Sequence, residues 1–433
     1  RWPEHIDAKI AALLVDSRWI AFLDAQPPER VAAWQRQRLS QLLGHAAAHS
    51  PWWRERVSHL EGRADAVENV PLMSREQYRD SIAAAGGPLQ MPAAHGAAHK
   101  HSTSGSSGVP VEFFTSALLA RLLTAEWYHD DLRQGRDPNS SRAEISTRVP
   151  DHAGEHIFVR GNPVFGGGDG FRRKAQRSGI AEHAHWLSRV KPAYLSIPPH
   201  MLSAMMEVYE SGKLAPPAVA QILTFGETVD TELRRRARAV FGASIRDRYS
   251  SEEVGAIAFQ CPHSDEHYHV ASSNVVVEIL DENGRRCAPG VVGRVFVTGL
   301  HNWASPAVRY ELNDMAAWQP SCACGRHAPV LTQLLGRKRF LVRLPSGDRV
   351  APRIFARQLL PIAPVREHRL VQVSETTLHA ELVLDRPITE DERHGIAAVL
   401  REIISSELSY EVRQVEKIDW GPTYKRQDVI SLI

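Results

Sequence analysis

Cysteine is scarce in this chain, with four residues in 433. So few thiols exclude a disulfide framework, point to a reducing compartment and make the cytoplasm the expected setting. An excess of either charge is missing too, since 52 Lys and Arg face 50 Asp and Glu. A surface balanced to that degree lacks the field that non-specific binding to nucleic acid or anionic lipid requires, so neither is an expected partner. No apolar run reaches bilayer length, and there is no internal repeat or low-complexity tract. The opening "RWPEHIDAKIAALLVDSRWIAFL" carries charges through its apolar periodicity and reads as an amphipathic helix rather than a secretory leader. An initiator Met or short lead is expected ahead of Arg1.

Present instead is the composition of an ordinary globular protein, 43% hydrophobic and 24% charged, long enough for two or three domains and for an enzyme. Up to about residue 79, Ala, Leu, Arg and Trp recur at three- and four-residue spacing, which predicts several helices, one opening at Pro51 of "PWWRERV". Residues 101–299 alternate short apolar runs with helical stretches, as in an α/β domain. "KPAYLSIPPHMLSAMMEVYESG" reads as strand, Pro-marked turn and helix, and "TELRRRARAVFG" as a helix ended by Gly242. "NVVVEILDENGRRCAPGVVGRVFVTGL" gives two strands around Asn-Gly and Pro-Gly turns, a β-barrel-like subdomain. Beyond Arg337 come strands in "HRLVQVSETTLHAELVLD", a helix opened by a Thr-x-x-Glu cap in "TEDERHGIAAVL" and a strand in "YEVRQVEKID". The expected organisation is therefore a large α/β domain over residues 1–336 and a small α+β domain over 337–433.

"HSTSGSSGVPVEFF" poses the functional question. Gly lets backbone N–H groups approach an anion and Ser and Thr add donors, yet the same composition also makes slack linkers. The Gly-Lys-Ser/Thr ending of a Walker loop is absent. Five further stretches follow in order: "TFGET" (Thr224 to Thr228), "DRYSSEEVGAIAFQC" (Asp247 to Cys261), "RYELNDMA" (Arg309 to Ala316), "LLGRKRF" (Leu334 to Phe340) and "PTYKRQ" (Pro422 to Gln427). Taken together, the six resemble the adenylate-forming superfamily of acyl-CoA synthetases, adenylation domains and luciferases, and within it the phenylacetate-coenzyme A ligase branch.

That resemblance implies a role for each matched residue. Thr103, Ser104, Gly105, Ser106, Ser107 and Gly108 would grip the ATP phosphates, with Val111 where many relatives carry Lys. Gly226 and Glu227 would lie against the adenine. Tyr249, Ser250 and Ser251 would wall the nucleotide or acid. Glu253 would hold Mg²⁺, an ion that binds by a carboxylate plus substrate phosphates and retained water; the adjacent Glu252 leaves a one-residue ambiguity. Asp314 would accept hydrogen bonds from the ribose hydroxyls, and Asn313 before it stands where the family has a Gly, at a position suited to positive φ. Arg337 would meet the ribose at the hinge, where the family's acid two residues on is Arg339. Lys425 would bridge the acid and the α-phosphate and swing in with the small domain. The acid pocket would draw on Phe165, Tyr194 and Phe225. The run Arg172, Arg173 and Lys174 is read either as a partner for an anionic group or as a solvated face.

Cys322 and Cys324 lie one residue apart, and Cys261 is followed by His263, His267 and His269. Paired thiols and imidazoles suit a closed Zn²⁺ site, and equally suit free cysteines in a tight turn beside surface histidines. The order Cys…His…Cys-x-Cys is similar to that in several ligase-branch relatives. The resemblance favours Cys261, His269, Cys322 and Cys324 as ligands of a structural zinc, with His267 as the alternate. Cys287 is left out.

The expected function is ATP-dependent conversion of a carboxylic acid, an aryl acid foremost, to acyl-AMP and pyrophosphate, followed by transfer to a thiol, that of coenzyme A. Alternatives are a specialised biosynthetic adenylating enzyme with an amine, a carrier protein or a non-carboxylate oxyacid as partner, and a non-catalytic nucleotide-binding protein. A homodimer is left open.

Overall fold

The computed structural model describes residues 8–60, 67–102, 111–137, 139–146, 156–158, 169–174, 180–337, 342–346, 349–350, 356–419 and 429–433. Four helices come first: α1 (Ala8–Asp24), α2 (Pro28–His49), α3 (Pro51–Val57) and α4 (Arg75–Ala85). Their ends are set locally. Pro occupies the first turn of α2 and α3, where its missing N–H costs nothing, and Ser50 caps α3 by accepting from the Trp53 N–H. In α4, Ser74 and Gln77 form a reciprocal capping box, and Gly86 closes the helix at φ +68°. Strands β1 (Ala98–Ser102) and β2 (Glu112–Ser116) pair antiparallel, and Ser116 caps α5 (Ala117–Arg133).

The remaining strands of the large unit form one sheet. They are β3 (Arg142–Ser146), β4 (His156–Phe158), β5 (Gly170–Lys174), β6 (Tyr194–Ser196), β7 (Gln221–Phe225), β8 (Ser244–Ser251), β9 (Gly255–Gln260), β10 (Tyr268–Val270), β11 (Val275–Leu280), β12 (Gly293–Gly299), β13 (Tyr310–Gln319) and β14 (Val330–Arg337). Their order is β11-β12-β13-β14-β10-β9-β8-β7-β6-β3-β5-β4. From β8 back through β7, β6 and β3 to β5 the pairing is parallel. The β-rich stretch after residue 250 supplies the other end, where β8, β9, β10 and β14 pair antiparallel in turn.

Helices α6 (Ile180–Val190), α7 (Pro199–Glu210) and α8 (Thr231–Phe241) share a core with the parallel strands, in which Trp186, Leu187, Leu202, Met205, Met206, Ile222 and Ile245 are buried. Each such side chain contributes roughly 1.5–3 kcal/mol by leaving water. Helix α5 packs on β9, with Trp127 edge-on to Phe259 at 5.4 Å between centroids, and α1 packs on α5 through Leu13, Ile20 and Ala125. Ion pairs tie the end of α5 to the base of the sheet. Arg136 meets Asp130 and Asp131 at 2.8 and 2.7 Å, and Arg142 at the start of β3 meets Asp131 at 2.6 Å.

The smaller α+β unit contains β15 (Val342–Arg343), β16 (Arg349–Val350), α9 (Ala356–Leu359), β17 (Val365–Gln372), β18 (Thr377–Leu384), α10 (Glu390–Ile403), β19 (Ser409–Gln414) and β20 (Val429–Ser431). Its four-stranded sheet runs β19-β18-β17-β20, and α10 buries Ile396 and Leu400 in a core with Leu370, Leu378 and Leu382. The Thr389 and Glu392 capping box opens α10. Compactness divides the chain at Leu334 and Leu335, with Asn313–Met315 grouped with the second unit. Among the described residues no helix is long and apolar enough to cross a membrane.

Candidate active site

In a parallel α/β sheet, ligands bind beyond the carboxyl ends of the strands, where loops leave the layers and helix N-termini converge. Here β7 ends at Phe225, and Gly226 turns the chain at φ +79° into Glu227. Opposite stands the start of α7. Its N-cap is Pro198, which offers no side-chain acceptor, and Glu227 does that work from across the loop. The His200 backbone N–H donates to Glu227 Oε2 at 3.0 Å, and the His200 Nδ1–H donates to Oε1 at 2.6 Å. A carboxylate at a helix N-terminus is favoured by the orphan N–H groups and the dipole together. Both side chains remain about a quarter exposed, 30% for His200 and 23% for Glu227, so the pair is not part of the core.

Next to it, β8 and β9 form a tight hairpin. Gly255 opens β9 at φ +77°, and a Cβ there would collide with the Leu123 side chain of α5, so only Gly fits. The Val254 N–H donates to Ser251 Oγ at 3.3 Å. The turn separates the two acids at its tip: Glu252 is exposed, while Glu253 is buried and accepts from Tyr310 Oη–H at 3.0 Å. Asn302 Nδ2 reaches the Glu253 carbonyl at 3.5 Å. Tyr310 in turn packs on Tyr78, with rings 4.9 Å apart. Burial, with Glu253 and Tyr310 close by, pushes the Tyr78 hydroxyl well above the usual tyrosine range, so it stays a neutral donor. Below the tip, the buried Asp247 accepts from Thr224 at 2.6 Å and Tyr268 at 3.0 Å, which locks β7, β8 and β10 together.

The residues singled out by sequence fall into three groups. Gly226, Glu227, Phe225, Tyr249, Ser250, Ser251 and Glu253 lie on or just beyond β7 and β8. Asn313 does take positive φ, at +59°, immediately before Asp314 in β13. Tyr194 requires correction as a pocket wall. It is the first residue of β6, paired with Gln221 at the start of β7; at about 3.3 Å per residue, Phe225 stands roughly 13 Å farther along. The Tyr194 hydroxyl accepts from the Asp137 N–H at 2.7 Å, and Arg142 lies over its ring at 5.2 Å, so the side chain packs the base of the sheet. Thr103, Ser104, Gly105, Ser106, Ser107, Gly108, Phe165 and Lys425 lie outside the described residues, as does the Arg337 side chain. His200 and Tyr310 were missed as site residues, although each sits inside a stretch already singled out.

A separate cluster gathers Cys261, His269, Cys322 and Cys324, whose donor atoms all lie within 4.8 Å of one another. Cys261 follows β9, His269 is the middle residue of β10 and the two remaining cysteines sit in the β13–β14 connection. Cys322 Sγ is 3.9 Å from Cys261 Sγ, and Cys324 Sγ is 3.2 Å from His269 Nε2. A tetrahedral ion with Zn–S near 2.3 Å and Zn–N near 2.0 Å sets such donors about 3.5–3.8 Å apart, so the set fits with small adjustments. Burial, with Arg326 and Arg133 adding positive charge, pushes His269 down to about 4, which keeps the imidazole in its neutral, ligating form. Burial also raises the Cys261 thiol to about 11. His267 stands outside the quartet and directs Nδ1 at Cys322 Sγ from 3.1 Å. Cys287 lies elsewhere, beside Gly293.

The family model described as AMP-binding enzyme matches residues 26–304. In sequence, the chain is similar to the phenylacetate-coenzyme A ligase of Thermus thermophilus, 22% identical over 386 residues that cover 84% of this chain and 83% of the relative. In structure it is similar to 2-hydroxyisobutyryl-CoA ligase in the postadenylation state with 2-HIB-AMP, with TM-score 0.73, 19% identity, and 94% of this chain and 90% of that chain covered. A second structural likeness is to an anthranilate CoA ligase with anthranoyl-AMP, with TM-score 0.52 and 14% identity over 76% of this chain and 65% of that one. At these identities the structural likeness speaks to the fold.

Proposed function

The chain belongs to the AMP-binding enzyme family, and from that premise we propose that it activates a carboxylic acid with ATP and passes the acyl group to the thiol of coenzyme A. In the first step a carboxylate oxygen attacks the α-phosphorus; the bond to the β-phosphate oxygen breaks and pyrophosphate leaves. In the second, the thiolate attacks the acyl carbon and AMP departs, so one difficult condensation becomes two displacements with good leaving groups. The observation that carries this reading is Glu253: of two adjacent acids at a hairpin tip, it is the one buried at the carboxyl end of the sheet with a tyrosine donor, inside the matched stretch.

In this reading Thr103, Ser104, Gly105, Ser106, Ser107 and Gly108 hold the phosphates, and Glu253 is the carboxylate for Mg²⁺. Asp314 and Arg337 meet the ribose, and Lys425, carried by the domain after residue 336, neutralises charge at the α-phosphate. Glu227 caps α7 and fixes the His200 ring, and His200 is the polar group assigned to the acid in this reading. The substrate is an aryl acid; the half-buried Phe225 and Tyr249 near the ends of β7 and β8 support this. The Cys261, His269, Cys322 and Cys324 quartet holds a structural Zn²⁺ that pins the β13–β14 connection to β9 and β10.

ATP–pyrophosphate exchange over a panel of benzoates, phenylacetates, anthranilate and short hydroxy acids tests the reaction. Exchange with aryl acids that drops at least a hundredfold in Lys425→Ala and Glu253→Gln is expected. No exchange with any acid, or undiminished exchange in both variants, removes the proposal. Product analysis with coenzyme A, amines and carrier protein fixes the acceptor.

A further inference from the structure

Away from these residues, a second set of polar groups, half-buried or buried apart from the exposed His49, gathers near Trp303. Arg38 and His45 are seven residues apart on α2 and so share a face, with His49 one turn on. His95 precedes β1, and His301 and Trp303 follow β12. The His45 and His95 rings lie 4.7 and 4.8 Å from the Trp303 ring, the Arg38 guanidinium 5.9 Å from it, and His49 4.7 Å from His45. Five nitrogens here are buried without a hydrogen-bond partner: Arg38 Nε, His45 Nε2, His95 Nδ1, His301 Nδ1 and Trp303 Nε1. His95 and His301 are each only 7% exposed.

Native interiors leave few such atoms unpaired, and four gathered at one ring, those of Arg38, His45, His95 and Trp303 itself, call for an occupant. Arg38 defines its charge, since each neutral imidazole carries one donor and one acceptor nitrogen. Arg38 Nη1 donates to Gln41 Oε1 at 2.9 Å, and among the described residues no carboxylate lies within ion-pair distance of the guanidinium. Water can fill the hydrogen bonds, whereas an anion also matches the charge of the half-buried Arg38 guanidinium. We propose that Arg38, His45, His95 and Trp303 form a binding site for a small oxyanion such as phosphate or sulfate, distinct from the nucleotide cleft.

His95 precedes β1, and the stretch expected to hold the ATP phosphates begins in sequence only after β1 ends at Ser102. The segment bearing His301 and Trp303 also bears Asn302, which contacts the Glu253 carbonyl, so the occupant lies close to the active-site hairpin without being part of it.

Burial holds His45 and His95 below the usual histidine range, and His301 at about 4. The charged and titratable groups facing the site are Arg38, His45 and His49 from α2, His95, and His301. A bound anion favours protonation of the imidazoles, so affinity rises as pH falls. The experiment is calorimetric titration of inorganic phosphate into the full chain at pH 6.0 and 7.5, with saturating AMP to fill the cleft. One saturable site is expected, displaced by sulfate, tighter at pH 6.0, and weakened at least tenfold in Arg38→Gln and several-fold in His95→Gln. In the wild-type protein, histidine-labelled NMR should show ring-nitrogen shifts on adding phosphate, a readout that does not depend on either variant folding. Absence of saturable binding, binding abolished by AMP, unaltered binding in folded Arg38→Gln, or unmoved ring signals overturns the proposal.

Discussion

Two clusters in the large unit bury histidine, and they do opposite chemistry with it. Around Cys261, His269 meets the Cys324 thiol at 3.2 Å and Cys322 meets Cys261 at 3.9 Å, so the cluster offers electron pairs gathered at one place. Around Trp303, His45 and His95 meet an indole with a guanidinium beside it, so the positive charge and the N–H groups of the cluster come from Arg38 and Trp303. Burial lowers the imidazole pKa in both places. Burial therefore does not say what a histidine is for; the company of electron-pair donors or of hydrogen donors does. Glu126 stands between the two. Ser273 donates to its Oε1, the same residue's carbonyl accepts from His301 Nε2 at 2.7 Å, and Asp24 and Arg133 act on both Glu126 and His269.

The largest effect that would break this contrast is expected at the thiol cluster. Cys261→Ser should empty the metal site and lower the unfolding free energy by roughly 3–5 kcal/mol, the scale of losing a structural crosslink, seen as lost zinc by elemental analysis and a lower Tm. A zinc-free wild-type protein with the same Tm as the variant would remove the distinction. Glu126 comes second. Burial raises its carboxyl from 4.5 to about 7. Because the folded state keeps a proton that the unfolded chain has released, stability should fall as pH rises between those values. Glu126→Gln keeps the acceptor for Ser273 and removes that slope, gaining up to about 3 kcal/mol at pH 8 and nothing at pH 4.5, as chemical denaturation at the two pH values would read. A gain independent of pH would show that Glu126 titrates alike in the folded and unfolded chain, with no shift on burial. The smallest effect is Trp303→Phe, which keeps the ring and deletes one N–H. It should weaken phosphate binding by roughly three- to tenfold with stability changed by less than about 1 kcal/mol. A large loss of stability with unchanged phosphate affinity would make Trp303 a packing residue only.

Local chemistry was legible along the chain. The Thr389 cap with Glu392, Gly242 ending α8, Pro51 opening α3 and the strand-turn-helix at Tyr194 to Glu210 were readable because each depends on neighbours within a turn. Positive φ at Asn313 was likewise foreseeable from the residue type. Direction along a strand was not. Tyr194 and Phe225 look alike as aromatics flanking apolar runs, and only the parallel register reveals that one starts its strand while the other ends the neighbouring one. That Glu253 is buried and Glu252 exposed needed the hairpin tip, and that His269 joins the cysteine cluster needed the β9–β10 pairing.

The sequence by itself determined that this is an α/β protein with an adenylate-forming set of motifs, because motif order and capping chemistry are written in residues close together. Tertiary structure alone decided that Glu227 caps α7 through His200, that Glu253 turns inward, and that Arg38, His45, His95 and Trp303 meet. Those groups come from helices, turns and strands far apart in the chain, and no local propensity encodes a contact that only packing against a shared sheet can create.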